Sequence, residues 1–151
     1  LLVGEHLEKN FQIKESNFLV LGGPCHAEEV ALEKLSYLTI ASSNKILAKK
    51  IASKFTSSYI YVQTSDDVIG IEYSSMLKNI YAIAAGIAHG LGYGDNFQSV
   101  LMSSAIKEMN RFIEKRYLLK RDINDSVYLG DLLVTGYSLF SRNRLFGNFL
   151  C

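Results

Sequence analysis

The apolar and polar residues of this chain follow two different rhythms, and the change comes near residue 67. In the first part, short apolar runs at 18–21, 37–41 and 60–63 indicate buried strands. Helical patterns at about 24–33 and 44–55 separate them, and this alternation is typical of an α/β layer. Pro24 is the only proline, and we expect it at the first position of its helix.

The second part is predicted to be entirely helical. Three helices are predicted, over about 68–91, 96–115 and 127–134. Ser65 or Asp66 is the expected N-cap of the first, and the glycine-rich segment 90–94 ends it. We therefore place a domain boundary at about Asp67, between an α/β part (1–66) and a helical part (67–151).

Composition limits the class of protein. The chain has 151 residues, of which 48% are hydrophobic and 21% charged, so it is globular, with one domain or two incomplete ones. Its net charge of +1 provides no basic field for nucleic acid. Any anion must therefore be bound by a few specific side chains and not by the overall charge of the protein.

Cysteine and histidine usage favour a reducing cytoplasm and no metal site. Cys25 and Cys151 are too few for a disulfide framework, and His26 and His89 lack metal-ligand spacing. No signal segment is visible, although the chain begins with Leu1 rather than methionine. The most apolar run, 80–93, is too short and too rich in glycine to span a bilayer, so we expect a soluble protein.

Lys78 is the strongest candidate for a chemical group, because it is the one lysine inside an apolar helical pattern. Four residues share its helical face: Ala82, Ala85, Gly86 and His89. Such small side chains let another backbone or a ligand approach closely. On spacing alone, a lysine that extends to the surface is the commoner explanation. The alternative is a desolvated lysine that acts as a general acid or base, or that holds an anion.

The other candidates are weaker alone. Asp131 either caps its helix or points into the same cleft as Lys78, with Thr135 one turn further on. The segment Ser141–Arg144 (sequence SRNR) offers two guanidinium groups suited to phosphate, or is simply a solvated loop. Cys25 follows a strand and precedes a helix, where a thiol becomes more reactive, but it has no clear base partner for nucleophilic catalysis.

The order of the motifs is more specific than any one of them. They run as follows: GPxxAEE at 23–29, DVIGIE at 67–72, LKN at 77–79, AAG at 84–86, GLGxGDN at 90–96, GDL at 130–132 and SRNR at 141–144. In this series the chain resembles the NAD(P)-dependent sn-glycerol-3-phosphate dehydrogenase family, bacterial type. The resemblance extends from about Leu19 to the end.

The resemblance implies a fold and a reaction. It implies part of a Rossmann-like domain, then an all-α domain like the C-terminal domain of 6-phosphogluconate dehydrogenase. The implied reaction is the reversible reduction of dihydroxyacetone phosphate to sn-glycerol 3-phosphate with NAD(P)H, which feeds phospholipid synthesis in the cytoplasm. The choice between NAD and NADP depends on residues outside this chain.

Site residues also follow from the matched positions. Lys78 matches the catalytic lysine, which exchanges a proton with the C2 oxygen. The positions that match substrate contacts are Gly23, Cys25, Lys78, Asn79, Asp131, Thr135, Ser141, Arg142 and Asn143. Ala27 and Arg142 match cofactor contacts.

This chain departs from the family in two respects. Cys25-His26 stands where the family more often has Ser-Phe, so a thiol replaces a hydroxyl. The family's glycine-rich dinucleotide loop, its first strands and its last helices are absent, so we expect the chain alone to bind NAD(P) negligibly and to be inactive.

Two other functions stay open. One is a related two-domain dehydrogenase acting on another phosphorylated or sugar substrate. The other is a non-catalytic helical interaction module, since an apolar face over 80–91 would suit a second subunit, as in a homodimer.

Overall fold

The computed structural model describes all 151 residues, which form two compact units, Leu1–Tyr73 and Ser74–Cys151. The chain contains seven α-helices and one three-stranded sheet. The coarse prediction of an α/β part followed by a helical part is therefore confirmed. No helix combines the length and the apolar character that crossing a membrane requires.

The first unit contains the sheet. Its elements are α1 (Val3–Phe11), a 3-10 turn (Glu15–Asn17), β1 (Val20–Gly22), α2 (Ala27–Ala31), β2 (Ser36–Ala41), α3 (Lys45–Phe55) and β3 (Ile60–Ser65). The strands lie in the order β1-β2-β3, with β2 parallel to β3 and α3 connecting them. In contrast, β1 is antiparallel to β2, which the alternating pattern does not reveal.

The position of α3 follows from its cap and its small apolar face. The side chain of Asn44 accepts a hydrogen bond from Leu47 N at 3.1 Å and so begins the helix. Ala48 and Ala52 then pack with Ile40 of β2 in one buried hydrophobic cluster. The predicted bounds of this helix and of the second strand are confirmed within one residue.

The prediction that Pro24 begins a helix is wrong. Its carbonyl accepts a hydrogen bond from Tyr37 N at 3.2 Å, so this part of the chain lies along the start of β2. The helix α2 begins three residues later, at Ala27. Because the carbonyl of Pro24 pairs with β2, it does not accept a hydrogen bond within a first helical turn.

The helix α4 (Val68–Gly90) begins at the predicted place, but its cap differs from the prediction. Asp67 Oδ1 accepts the hydrogen bond from Gly70 N at 3.0 Å, and Ser65 Oγ instead accepts one from Asp67 N. The expected caps, Ser65 and Asp66, therefore lie just before the true one. Asp67 itself immediately precedes α4, and the domain boundary proposed there stays a prediction.

A carboxylate on the first turns of α4 binds the start of α1. Glu72 Oε1 accepts a hydrogen bond from Gly4 N at 3.1 Å, where the helix leaves its first N–H groups without partners. Burial raises the pKa of Glu72, and the negative charge of Glu5 adds to this, while the hydrogen bonds from Gly4 and Val3 oppose it.

The second unit consists of the rest of α4 and three further helices. These are α5 (Asp95–Arg116), α6 (Asp131–Tyr137) and α7 (Arg142–Phe149), with one turn of π-helix (Ser126–Gly130) directly before α6. The prediction for α5 is confirmed within a residue at each end. The third predicted helix is displaced, because its first half is the π turn, and α7 was not predicted as a helix.

Glycines let α7 pack directly on the backbone of α4. A side chain at Gly86 would collide with the carbonyl oxygen of Arg144, and one at Gly147 would collide with that of Ile83. The small residues on this face of α4 thus make room for another helix. The sequence left open whether these small residues admit another backbone or a ligand. At Gly86 they admit the backbone of α7.

Polar contacts also join α4 to α5 inside the second unit. Gln98, which is buried, donates a hydrogen bond from Nε2 to the carbonyl oxygen of Ala85 at 2.9 Å. Burial raises the pKa of Tyr81 to about 12, and Glu108, which accepts its hydrogen bond, contributes to the same shift. Both partners hold the middle of α4 in place.

We predict that Gly86→Ala destabilises the protein by about 1–3 kcal/mol, because the added methyl group overpacks a contact between two backbones. Urea unfolding followed by circular dichroism measures this loss. Gly94→Ala is the matched control, since nothing lies within 4 Å of a Cβ at that position. Equal stability of the two variants would contradict the close contact.

We also predict a pH dependence that originates at Glu72. Because its pKa is raised above the ordinary value of 4.5, the folded protein binds this proton more tightly than the unfolded chain does. The resulting stabilisation is full below pH 4.5 and is lost as pH rises through the folded-state pKa. Wild type should therefore lose stability relative to Glu72→Gln as the pH rises above 4.5. The unfolding free energy of wild type minus that of Glu72→Gln should fall as the pH rises. A value that stays constant or increases with pH would refute this.

Candidate functional site

Lys78 forms an ion pair with a buried carboxylate in the helical unit. Its Nζ lies 2.6 Å from Asp131 Oδ2, although the two residues are 53 positions apart in the chain. The side chain of Asp131 is 4% exposed and that of Lys78 is 22% exposed. The ammonium of Lys78 therefore contacts a carboxylate that is buried from solvent, and the side chain does not simply extend to the surface.

The π turn before α6 helps to explain why Asp131 is available to Lys78. A π turn contains one more residue than an α turn, so it rotates the following side chains around the helix axis. Asp131 is the first residue of α6, directly after this turn. The interpretation of Asp131 as a simple helix cap is wrong, since its carboxylate binds Lys78.

Thr135 lies one turn after Asp131 and is buried. Its Oγ1 donates a hydrogen bond to the carbonyl oxygen of Asp131 at 2.6 Å. The hydroxyl proton is thus engaged within the helix, and the lone pairs of the oxygen remain as acceptors for a ligand hydroxyl.

Two asparagines connect α4 to α7. Asn143 donates from Nδ2 to Asn79 Oδ1 at 2.8 Å, and Asn79 donates from its own Nδ2 to the carbonyl oxygen of Ser75 at 3.0 Å. Because Asn79 directly follows Lys78 in the chain, these bonds fix the first turn of α7 close to the turn of α4 that carries Lys78.

The segment predicted as a charged loop is the beginning of α7. Ser141 is buried, and its Oγ accepts a hydrogen bond from Arg144 N at 3.3 Å as the helix N-cap. Arg142 is the first helical residue, and its side chain is exposed. A serine in the N-cap position, directly before the first helical residue, is the signal that could have revealed this start.

The remaining predicted site residues lie in the first unit, on the connection from β1 to α2. Gly23 has φ of +119°, and a Cβ there would lie 2.7 Å from the carbonyl oxygen of Tyr37. Only glycine fits this position, for both reasons. Cys25 is half-buried on the same connection, and Ala27 is the exposed first residue of α2.

The second unit therefore brings together an ammonium, a buried carboxylate, two amides and a helix start with an exposed arginine. An ammonium held by one carboxylate oxygen has further N–H groups with which to donate to a ligand oxygen. Arg142 and the first N–H groups of α7 favour an anion. No group of three or more His, Cys, Asp or Glu side chains is arranged to hold a metal ion.

Comparison with known proteins identifies the family of this chain. The model of the family described as NAD-dependent glycerol-3-phosphate dehydrogenase C-terminus matches residues 67–151, which include the Lys78–Asp131 pair. A relative from Oceanobacillus iheyensis, named glycerol-3-phosphate dehydrogenase (NAD(P)+), is 40% identical over 148 residues. That match covers 98% of this chain and 43% of the relative, so the chain spans less than half of its length.

Solved structures give the same result. The crystal structure of glycerol-3-phosphate dehydrogenase from Coxiella burnetii superposes with a TM-score of 0.83 at 34% identity, over 87% of this chain and 41% of that one. The structure of DsGPDH of Dunaliella salina gives a TM-score of 0.90 at 29% identity, over 99% of this chain and 25% of that one.

We predict that Lys78 and Asp131 stabilise the fold as a coupled pair. Lys78→Met removes the ammonium that balances the charge of a buried carboxylate, and we expect it to cost about 2–4 kcal/mol, reduced from the cost of a fully buried pair by the exposure of the lysine. Adding Asp131→Leu should recover part of that loss, with a coupling energy of about 1–3 kcal/mol in urea unfolding. Lys107→Met, at an exposed lysine of α5, is the control. Strictly additive effects would show that the pair is not coupled.

Proposed function

Because this chain belongs to the NAD-dependent glycerol-3-phosphate dehydrogenase family, we propose that the protein containing it reversibly reduces dihydroxyacetone phosphate to sn-glycerol 3-phosphate with NADH or NADPH. The observation that carries the proposal is the ammonium of Lys78, held 2.6 Å from a buried carboxylate within the segment that the family model matches. The product would serve phospholipid synthesis in the cytoplasm.

Lys78 is the proposed catalytic group. In the reducing direction, a hydride is added to C2 of the ketone and negative charge develops on its oxygen. Lys78 donates a proton from Nζ to that oxygen, and in the reverse direction its neutral amine takes the proton back. Asp131 orients the ammonium and stabilises its charge, because its carboxylate lies 2.6 Å away and is shielded from water.

The neighbouring side chains are proposed to bind the substrate. Asn79 and Asn143, which are already bonded to each other, present amide groups to its hydroxyls, and Thr135 offers its oxygen as an acceptor. Ser141 fixes the first turn of α7, on which Arg142 attracts the phosphate. Gly23 and Cys25, on the connection from β1 to α2, are proposed substrate contacts from the first unit.

A nicotinamide cofactor supplies or accepts the hydride when it is bound. The residues proposed to hold it are chemically suitable: Arg142 has an exposed guanidinium, and Ala27 is exposed at the first position of α2. The guanidinium of Arg142 and the backbone N–H of Ala27 can each donate a hydrogen bond to the phosphate oxygens of a dinucleotide. The parallel unit formed by β2, α3 and β3 is consistent with part of a Rossmann-like domain, with a helical domain from about residue 67.

We predict that Lys78→Ala in the whole protein lowers kcat by about 10²–10⁴-fold, the usual contribution of a general acid or base. The oxidation of NADH with dihydroxyacetone phosphate measures the rate, and circular dichroism checks the fold. Lys107→Ala is the control and should retain full activity.

Near-wild-type activity of Lys78→Ala would remove the lysine from the mechanism. The same assay with 6-phosphogluconate distinguishes the related dehydrogenases, and no activity on either substrate would favour an interaction module. Titration of the 151-residue chain with NADH, followed by nicotinamide fluorescence, should show negligible binding. Micromolar affinity would contradict the expectation that this chain alone lacks the residues needed to bind the cofactor.

A further inference from the structure

Arg144, which is half-buried, carries a guanidinium group of which one nitrogen is buried without an acceptor. Its Nε is inaccessible to solvent and has no hydrogen-bond partner. A buried N–H that lacks an acceptor costs free energy, and the cost is larger for a charged group. Lys78 provides the contrast within the same unit, because its ammonium has a carboxylate at 2.6 Å.

The backbone of Arg144 is fixed on both sides. Its N–H donates to Ser141 Oγ at 3.3 Å, and its carbonyl oxygen lies where a side chain at Gly86 would be. The residue cannot move away to hydrate its side chain without disturbing the cap of α7 or the contact with α4. The unpartnered Nε is therefore a consequence of how α7 packs.

The direction of the side chain follows from helix geometry. Side chains of an α-helix point back toward its N-terminus, and Arg144 is the third residue of α7. That terminus is fixed to α4 by the bond from Asn143 to Asn79, next to Lys78. The guanidinium is thus directed toward the end of the unit that contains the Lys78–Asp131 pair.

We propose that Arg144 binds the phosphate group of the substrate and makes the site prefer a phosphorylated ketotriose to its unphosphorylated analogue. The proposal rests on the proposed function, which puts the ketone at Lys78 and the phosphate a few bonds away. A phosphate dianion satisfies Nε and a terminal nitrogen together, because the planar guanidinium matches two of its oxygens. Arg144 then supplies a buried contact in addition to the exposed Arg142.

The test compares two substrates, dihydroxyacetone phosphate and dihydroxyacetone, in the whole protein. We expect Arg144→Gln to lower the ratio of their kcat/KM values by about 10- to 100-fold, as the loss of a charge-assisted hydrogen bond does. Arg144→Lys should lie in between, because it keeps the charge but loses the planar pair of donors. Arg116→Gln, at an exposed arginine of α5, should leave the ratio unchanged.

An unchanged ratio in Arg144→Gln overturns the proposal. An equal loss on both substrates also overturns it, since this would mean a structural role or a carboxylate partner elsewhere in the protein. If Arg144→Gln does not fold, the ratio in Arg144→Lys decides in the same way.

A binding measurement separates this inference from the proposed function. Calorimetric titration with sn-glycerol 3-phosphate and with glycerol requires no turnover. If wild type is inactive but binds sn-glycerol 3-phosphate, and Arg144→Lys weakens that binding, Arg144 keeps its role while the proposed reaction fails. Equal affinity of wild type and Arg144→Lys for sn-glycerol 3-phosphate overturns the role of Arg144.

Discussion

The close contact between α4 and α7 is the constraint on which the polar cluster of the helical unit depends. Gly86 and Gly147 each lack a side chain where the other helix passes, so backbone meets backbone. Interiors are packed too densely to absorb an extra methyl group there without a shift. The contact therefore fixes how far α7 lies from α4. It also decides whether Asn143 reaches Asn79 and where the guanidinium of Arg144 is directed.

The same helix α4 also fixes the charged part of the cluster. Lys78 lies eight residues before Gly86, and its ion pair with Asp131 holds α6 as the glycines hold α7. A buried pair of this kind contributes little net stability, but removing one partner is strongly unfavourable. Such a pair is more useful for fixing a position than for stabilising the fold. That is consistent with its proposed role, in which Asp131 keeps the ammonium of Lys78 where a ketone oxygen would bind.

Sequence patterns predicted the elements that local residues determine by themselves. The helix α3 follows from Asn44 and two alanines, and α4 follows from a long apolar pattern. In contrast, the start of α6 was displaced, because a π turn inserts a residue that a period of 3.6 does not reveal. The helix α7 is not evident in the sequence, since its first residues are polar and its position depends on glycines far away in the chain. The antiparallel pairing of β1 is likewise set by a partner strand.

The site residues divide in a similar way. Lys78 stands out in the sequence because a charge interrupts an apolar pattern. Its pairing with Asp131 is not visible there, since no spacing rule relates residues 53 positions apart. The sequence alone offered Asp131 in the same cleft as Lys78 only as one of two alternatives, and the ordered series of motifs added Asn143. In the sequence Arg144 is only one of two arginines in its segment, because the burial of a single nitrogen is a property of the fold.

Whether Lys78 contacts the reacting oxygen can be seen directly in a crystal structure of the whole protein with sn-glycerol 3-phosphate and oxidised cofactor. The distance to measure joins Lys78 Nζ to the C2 oxygen of the ligand. We expect a hydrogen bond of about 2.6–3.2 Å, with Asp131 still bonded to the same nitrogen. A ligand bound with its C2 oxygen on other side chains, and Lys78 in contact with Asp131 alone, would contradict it.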